Sequence, residues 1–459
     1  MMASPPKTHA AQDSIWAPGY NLASISDHLA DLVLTRRSPL GWWLWLAISS
    51  VLAFIFFATI TYLFWVGVGI FGLNIPVAWA FPIVNTIWWI GMAHAGTLIS
   101  AVLLLTRQPW RAPINRFAEA MAMFAIVQAG LFPILHLGRP WFVYYLLPYP
   151  NLEDLWPQWK SPLVWDFFAI TTYLIFTLCF IYASLLPDLA TLRDRAQGRF
   201  GQICYGILAL GWTGSARQWH RYEQVYQVLA AVAAPIVVSV TGIISMDLSV
   251  SIVPGYHFTI FPPYFVCGAL FSGFATVIIL AVSLRSLYGL HDLITPTHID
   301  YLGRIMLAFG MIVDYAYLME MFTAWYSGTH YYRYVYIDRW TGPYAPFWWS
   351  MIFCNVVLLQ LVWFRRVRRT PWAMLLLGIV VDLGMWLERY QIVLTSTHAD
   401  YMPPNWGKVW PTLADYGVQF GSIGFFFMLL LLFVRVMPMI SIRDMRELIH
   451  ERDIEHAEP

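Results

Sequence analysis

Between Arg37 and Arg107 the chain carries no Asp, Glu, Lys or Arg. An uncharged stretch of that length cannot form the surface of a water-soluble fold. It is also longer than the roughly 20 residues that one membrane crossing needs. It reads as two helices parted at "GLNIP", residues 72–76, where Gly and Pro interrupt the apolar pattern. The rest of the chain repeats the message, with apolar runs near 117–136, 162–187, 223–247, 262–285, 301–326, 344–364, 372–395 and 413–435. Of the 459 residues 59% are hydrophobic and 12% charged, about half the charge of an ordinary soluble domain. The runs are helix-length and lack the ten-residue alternation of a membrane β-barrel. The predicted fold class is an all-α polytopic membrane protein with ten transmembrane helices. The first 35 residues are polar, so the first run is expected to be a true crossing and not the core of a signal peptide.

Basic residues orient the spans. Alternate loops, counted from the N-terminus, hold Lys7, Arg36, Arg37, Arg107, Arg111, Arg116, Arg193, Arg195, Arg199, Arg217, Arg221, Arg285 and the "RRVRR" run 365–369. The tail adds Arg435, Arg443, Arg446 and Arg452. The opposite loops hold Arg139, Lys160, Arg333, Arg339 and Lys408, so the balance is twenty to five. By the positive-inside rule both termini are expected in the cytoplasm. The net charge of +1 gives no reason to expect a nucleic-acid partner. Cys179, Cys204, Cys267 and Cys354 are isolated and form no CxxC or Cys/His cluster. The expectation is that this chain holds no metal, and the thiols read as small apolar residues.

Residues 81–104, "FPIVNTIWWIGMAHAGTLISAVLL", align without gaps on 261–284, "FPPYFVCGALFSGFATVIILAVSL". Both begin on the same side of the membrane, so the repeat is parallel. It predicts two four-helix bundles, spans 2–5 and 6–9, flanked by spans 1 and 10. The expected organisation is a cytoplasmic N-terminal segment at 1–37, span 1 with its outer loop at 38–79, the first bundle at 80–247 and the second at 248–395. An outer loop and span 10 occupy 396–436, and a cytoplasmic amphipathic tail 437–459. In that tail Ile442, Met445 and Ile449 share one helical face, which suits a helix lying on the membrane or on a neighbour. The aromatic-rich stretch 329–349 reads as an outer loop, part interfacial belt and part cover for a partner protein.

Polar residues inside a membrane are expensive and therefore informative. Span 3 ends in "ILHLGRPW", placing His136 and Arg139 at the outer rim. Span 4 opens "SPLVWDFF", with Ser161 as an N-cap, Pro162 in the first turn and Asp166 one turn below the surface. Span 5 runs outward to Asp247, and span 9 is expected to bring Glu388 and Arg389 to the same level. Asp247 stands at a helix C-terminus, the end that disfavours a carboxylate. An ion-pair network with Arg139 and Arg389 is the competing structural account of these groups. A carboxylate and an imidazole in a lipid-accessible aromatic pocket suit a hydroquinone, which gives up two protons with its electrons. The imidazole titrates near pH 6.5 and a half-buried Asp can be raised toward that range.

The "LHLGRP" rim, the "SPLVWD" helix start and the Phe-Pro repeat resemble the NrfD/polysulfide-reductase family of membrane subunits. Ten spans with long cytoplasmic loops are most similar to the larger NrfD-like subunit of bacterial alternative complex III. That resemblance implies a multi-pass subunit of the bacterial inner membrane that binds menaquinol as substrate and oxidises it near the periplasmic face. The implied partners are a periplasmic iron–sulfur protein, c-type cytochrome subunits and a second NrfD-like membrane subunit. Haems and clusters are expected on those partners and not on this chain. His136 and Asp166 fall on the implied quinol-binding pair, with Asp247, Arg139 and Arg389 at accessory positions. A second polar trail, His94, Asp314, Glu320, Asp382 and Glu388, reads as a proton path or as helix-to-helix hydrogen bonding. A proton-coupled secondary transporter and a non-catalytic scaffold subunit are the rival functions. A dihaem cytochrome is disfavoured because only His94 lies deep within a span.

Overall fold

A computed structural model describes residues 14–35, 38–78, 81–146 and 162–455. Among these, ten helices are long and apolar enough to cross a membrane. They are α2 (Leu40–Val66), α3 (Phe81–Leu105), α4 (Asn115–His136), α5 (Pro162–Arg195), α7 (Ala216–Ser249), α8 (Phe261–Leu287), α9 (Pro296–Tyr326), the crossing Ala345–Trp363, α13 (Pro371–Thr397) and α14 (Leu413–Val436). The eighth crossing begins as α11 (Ala345–Ile352), loosens to a π-helical turn at Phe353–Val357 and tightens to a 3-10 turn at Leu358–Trp363. Shorter helices are α1 (Leu22–Leu34), α6 (Arg199–Leu208), α10 (His330–Thr341), α12 (Arg365–Arg368) and α15 (Ile442–Glu455).

The helix starts are written in the sequence. Ser215 and Thr412 cap α7 and α14 through their side chains, and prolines open α9 and α13, where the missing N–H has no intrahelical partner to lose. α3, α4, α5 and α7 pack as one bundle, and α8, α9, α13 and the eighth crossing surround the second core. The aligned repeat segments begin the helices α3 and α8 at Phe81 and Phe261. These two helices pack together and are the most enclosed in the molecule.

α2 is the least enclosed crossing and is held chiefly by α14. A side chain on Gly421 would put its Cβ 2.7 Å from Phe56 Cβ and 2.8 Å from the Phe56 backbone nitrogen. Close backbone approach through small residues is how helices associate in lipid, where no hydrophobic effect drives them together. Gly421→Val is therefore expected to cost about 1–3 kcal/mol through overpacking. A lowered thermal midpoint of the detergent-solubilised protein checks this, and an unchanged midpoint contradicts the contact.

Both described ends of the chain lie on one side, called here the terminal face, where α15 packs against α1. Ile442, Met445 and Ile449 are buried, so the amphipathic tail lies on its own chain. Its N-terminus is capped from another helix: the Ile442 and Arg443 N–H groups donate to Asp188 on α5 at 3.2 and 3.0 Å. The first 35 residues read in sequence as simply polar. Ile25, Leu29, Ala30 and Val33 nevertheless form a buried helical stripe on α1. The aromatic stretch at 329–349 is also not a bare loop, because α10 occupies most of it. Tyr336, Arg339 and Tyr344 point inward, while Tyr331, Tyr334 and Trp349 stay exposed. Cys179 departs from the expected buried thiol: it is exposed on α5, whereas Cys354 is buried.

Candidate functional site

At the distal face, opposite the termini, α4 stops because of "LGRP". Gly138 adopts a φ of +67° and its N–H closes on Leu135 O at 2.9 Å. A Cβ there would be strained and would collide with Val68. Pro133 removes one backbone donor, the one that would bond Ala129 O, in the turn that precedes His136. His136 is half-buried and Arg139 exposed. Among the described residues the Arg139 guanidinium makes no ion pair.

The neighbouring helix α5 starts at Pro162, with the expected cap Ser161 outside the described residues. Asp166 lies about one turn in, and Asp247 lies two residues before the end of α7. α5 packs against α4 on one side and α7 on the other. The carboxyls of Asp166 and Asp247 hydrogen-bond each other. Two carboxylates only accept, so a hydrogen bond between them requires one shared proton. The remaining oxygen of each, Oδ1, is buried without a partner. Such an acceptor costs on the order of 1–3 kcal/mol unless something donates to it. Two of them stand here on adjacent helices, each able to accept a hydrogen bond from a hydroxyl donor.

Arg389 is not brought to this place. It pairs with Glu388 and lies over Phe265, 4.4 Å from the ring centre, and Tyr264, 5.9 Å away. The physical reason is that α13 packs on α8, which turns position 389 into the second bundle.

Below the carboxyl pair the first bundle carries a polar column. His94 Nδ1 meets Thr241 Oγ1 at 2.7 Å, and its ring stands edge-on to Tyr173 at 4.5 Å. Its Nε2 is buried without a partner. Tyr173 bonds Thr97 Oγ1 at 2.6 Å and donates to Ala93 O at 2.7 Å. Ser100 donates to Glu119 Oε1 at 2.9 Å, and Ser184 donates to Oε2. His94, Thr97 and Ser100 recur every three residues, so they line one stripe of α3. Tyr173 and Glu119 escaped sequence reading. An aromatic in an apolar span looks like packing, and Glu119 sits close to a helix start.

The second bundle holds the other predicted acids. Tyr317 donates to Glu388, and Asn355, in the π-helical turn, donates to Tyr317 Oη at 3.0 Å. π-turns often mark functional sites. Asp382 accepts from Thr276 at 2.9 Å, and Glu320 accepts from Tyr336 at 2.7 Å and lies 3.5 Å from Arg339. Both carboxyl oxygens of Asp314 are buried without partners. Among the described residues no group of three or more His, Cys, Asp or Glu is arranged to hold a metal ion.

A selenate reductase subunit of Mesobacillus selenatarsenatis is 22% identical over 383 residues, covering 79% of this chain and 86% of that protein. A putative dimethyl sulfoxide reductase membrane subunit of Halobacterium salinarum is 21% identical over 239 residues, 52% of this chain and 51% of that relative. The family model for polysulphide reductase NrfD matches residues 74–399, which takes in both bundles, the carboxyl pair and the polar column. The chain belongs to the NrfD polysulphide reductase family.

Proposed function

We propose that this chain is the quinone-interacting membrane subunit of an oxidoreductase complex and that menaquinol is oxidised at the distal end of the first bundle. The observation that carries the reading is the pair of unpartnered oxygens on Asp166 and Asp247, which accept from a hydroxyl as no apolar lining does. His136, at the adjoining end of α4, is the second proton acceptor. Quinol oxidation releases two protons and two electrons. The carboxyl pair and His136 take the protons, and the electrons leave to an iron–sulfur protein docked on the distal face and then to c-type cytochrome subunits. A second NrfD-like subunit lies alongside in the membrane, and the complex is that of bacterial alternative complex III. The terminal face is the cytoplasmic one. The column of His94, Thr97, Ser100 and Glu119, and the buried acids Asp314, Glu320, Asp382 and Glu388, serve proton movement across the bilayer.

A photoreactive azidoquinone tests the location. It is expected to label peptides from the end of α4 or the start of α5; labelling confined to the second bundle would sink the assignment. Topology is checked separately. Reporter fusions at Gly198 and Thr341 should read cytoplasmic and periplasmic, and the reverse pattern would put the carboxyl pair on the wrong side of the membrane.

A further inference from the structure

The terminal face carries a cleft of about 540 Å³ whose lining includes Arg107, Gln108, Glu223, Tyr226 and Glu447. Glu119 is 1% exposed, yet one residue touches both it and the cleft. Tyr226 lines the cleft and donates its hydroxyl proton to Glu119 Oε1 at 3.0 Å. Asn115 Nδ2 donates to the same hydroxyl at 3.3 Å. The phenol ring is fixed from several directions. Phe180 and Tyr222 stack near it, with ring centres at 5.3 and 5.6 Å, and the Arg443 guanidinium lies 5.4 Å from its centre. Arg443 belongs to α15, so the C-terminal helix takes part in holding the tyrosine.

We infer that Tyr226 is a proton relay between the terminal-face cleft and the buried Glu119, held in register by α15. In one hop the Tyr226 O–H bond breaks as an O–H bond to the ionised Glu119 carboxylate forms, and the phenol oxygen takes a replacement proton from a hydronium ion in the cleft, which is left as water. No electron moves and no charge is left on the tyrosine. Arg116 explains why Glu119 is kept in place without being locked by a direct ion pair. Its guanidinium engages Ser184 Oγ at 2.9 Å and Asp188 at 2.6 Å, so Ser184 mediates between arginine and glutamate. The inference rests on the proposal that the first bundle conducts protons.

The test uses the whole complex in liposomes, driven by a soluble menaquinol analogue, with a pH dye reporting proton uptake from the terminal-face side per electron delivered. Tyr226→Phe, which keeps the ring and its stacking, is expected to reduce that uptake at least tenfold. Glu119→Gln, which still accepts from Tyr226, is expected to do the same, while Cys204→Ser stays at the wild-type value. Incorporating a fluorinated tyrosine at 226, with a more acidic phenol, should shift the pH profile of uptake toward lower pH, which a purely structural role would not do. Wild-type uptake in Tyr226→Phe, or in Glu119→Gln should the first variant fail to assemble, overturns the relay alone. Absence of any terminal-face uptake in the wild type overturns the underlying proton-conduction reading and the relay with it.

Discussion

Asp166→Asn is expected to lower quinol-dependent reduction of the acceptor by about 10²–10⁴-fold, the usual loss when a positioned base is removed. The substitution is chosen for what it preserves. An amide at 166 still donates to Asp247, so the bond between α5 and α7 persists while the capacity to take a proton is lost. Asp247→Asn should behave in the same way. His136→Ala should cost a similar factor without unfolding, because the residue is half-buried at a helix end and Gly138 sets the stop. Turnover measured beside assembly yield separates the two accounts of this rim. Wild-type turnover in these variants, or loss of the complex itself, makes the rim structural and removes the quinol site from this position.

The ten crossings were legible because lipid exposure and charge are nearly incompatible. Each apolar run became one crossing, the eighth with a π turn and a 3-10 turn in its second half, and the "GLNIP" break at 72–76 separated the first two as expected. Asp166 and Asp247 each stood out for the same reason, since an Asp inside an apolar helix has to be accounted for, but their pairing with each other is set by how α5 packs on α7 and is not local in the sequence. Arg389 shows where that logic ends: depth along a helix can be read from sequence, but the direction a residue faces is decided by which helix lies opposite. Glu388 and Arg389 share a level and face Tyr317 and Phe265. The α1 stripe of Ile25, Leu29 and Val33 had helical period, yet its Asp and His residues concealed it. Asp188 was hidden more deeply. Its work is to cap α15, which lies more than 250 positions away in the chain, and no local pattern encodes such a contact.

Asp444→Ala is expected to destabilise the docked tail by about 3–5 kcal/mol, the cost of leaving buried charge unpaired. Asp444 is 4% exposed, accepts from Arg111 at 3.2 Å and from Asn115 at 3.0 Å, and lies 3.9 Å from Arg443. Burial acting alone would push its carboxyl up; Arg111, Arg443 and Arg116 overrule that and hold it below the ordinary aspartate value of 3.8. A depressed acid stabilises the fold above its unfolded pKa, and the contribution is lost as pH falls through the folded one. Docking of α15 by way of Asp444 should therefore survive acidification through pH 5 and fail only below about pH 4. Glu447, 3.5 Å from Arg443, is pushed up by burial and takes its proton first. The difference between wild type and Asp444→Asn isolates the aspartate from it. Protease cleavage within 442–455 reports release of the helix. Cleavage should rise in Asp444→Ala at pH 7 and rise in the wild type only in strong acid. Equal protection of both proteins at pH 7 would mean that the apolar face of Ile442, Met445 and Ile449 holds the tail unaided, with the ion pairs contributing no net stability.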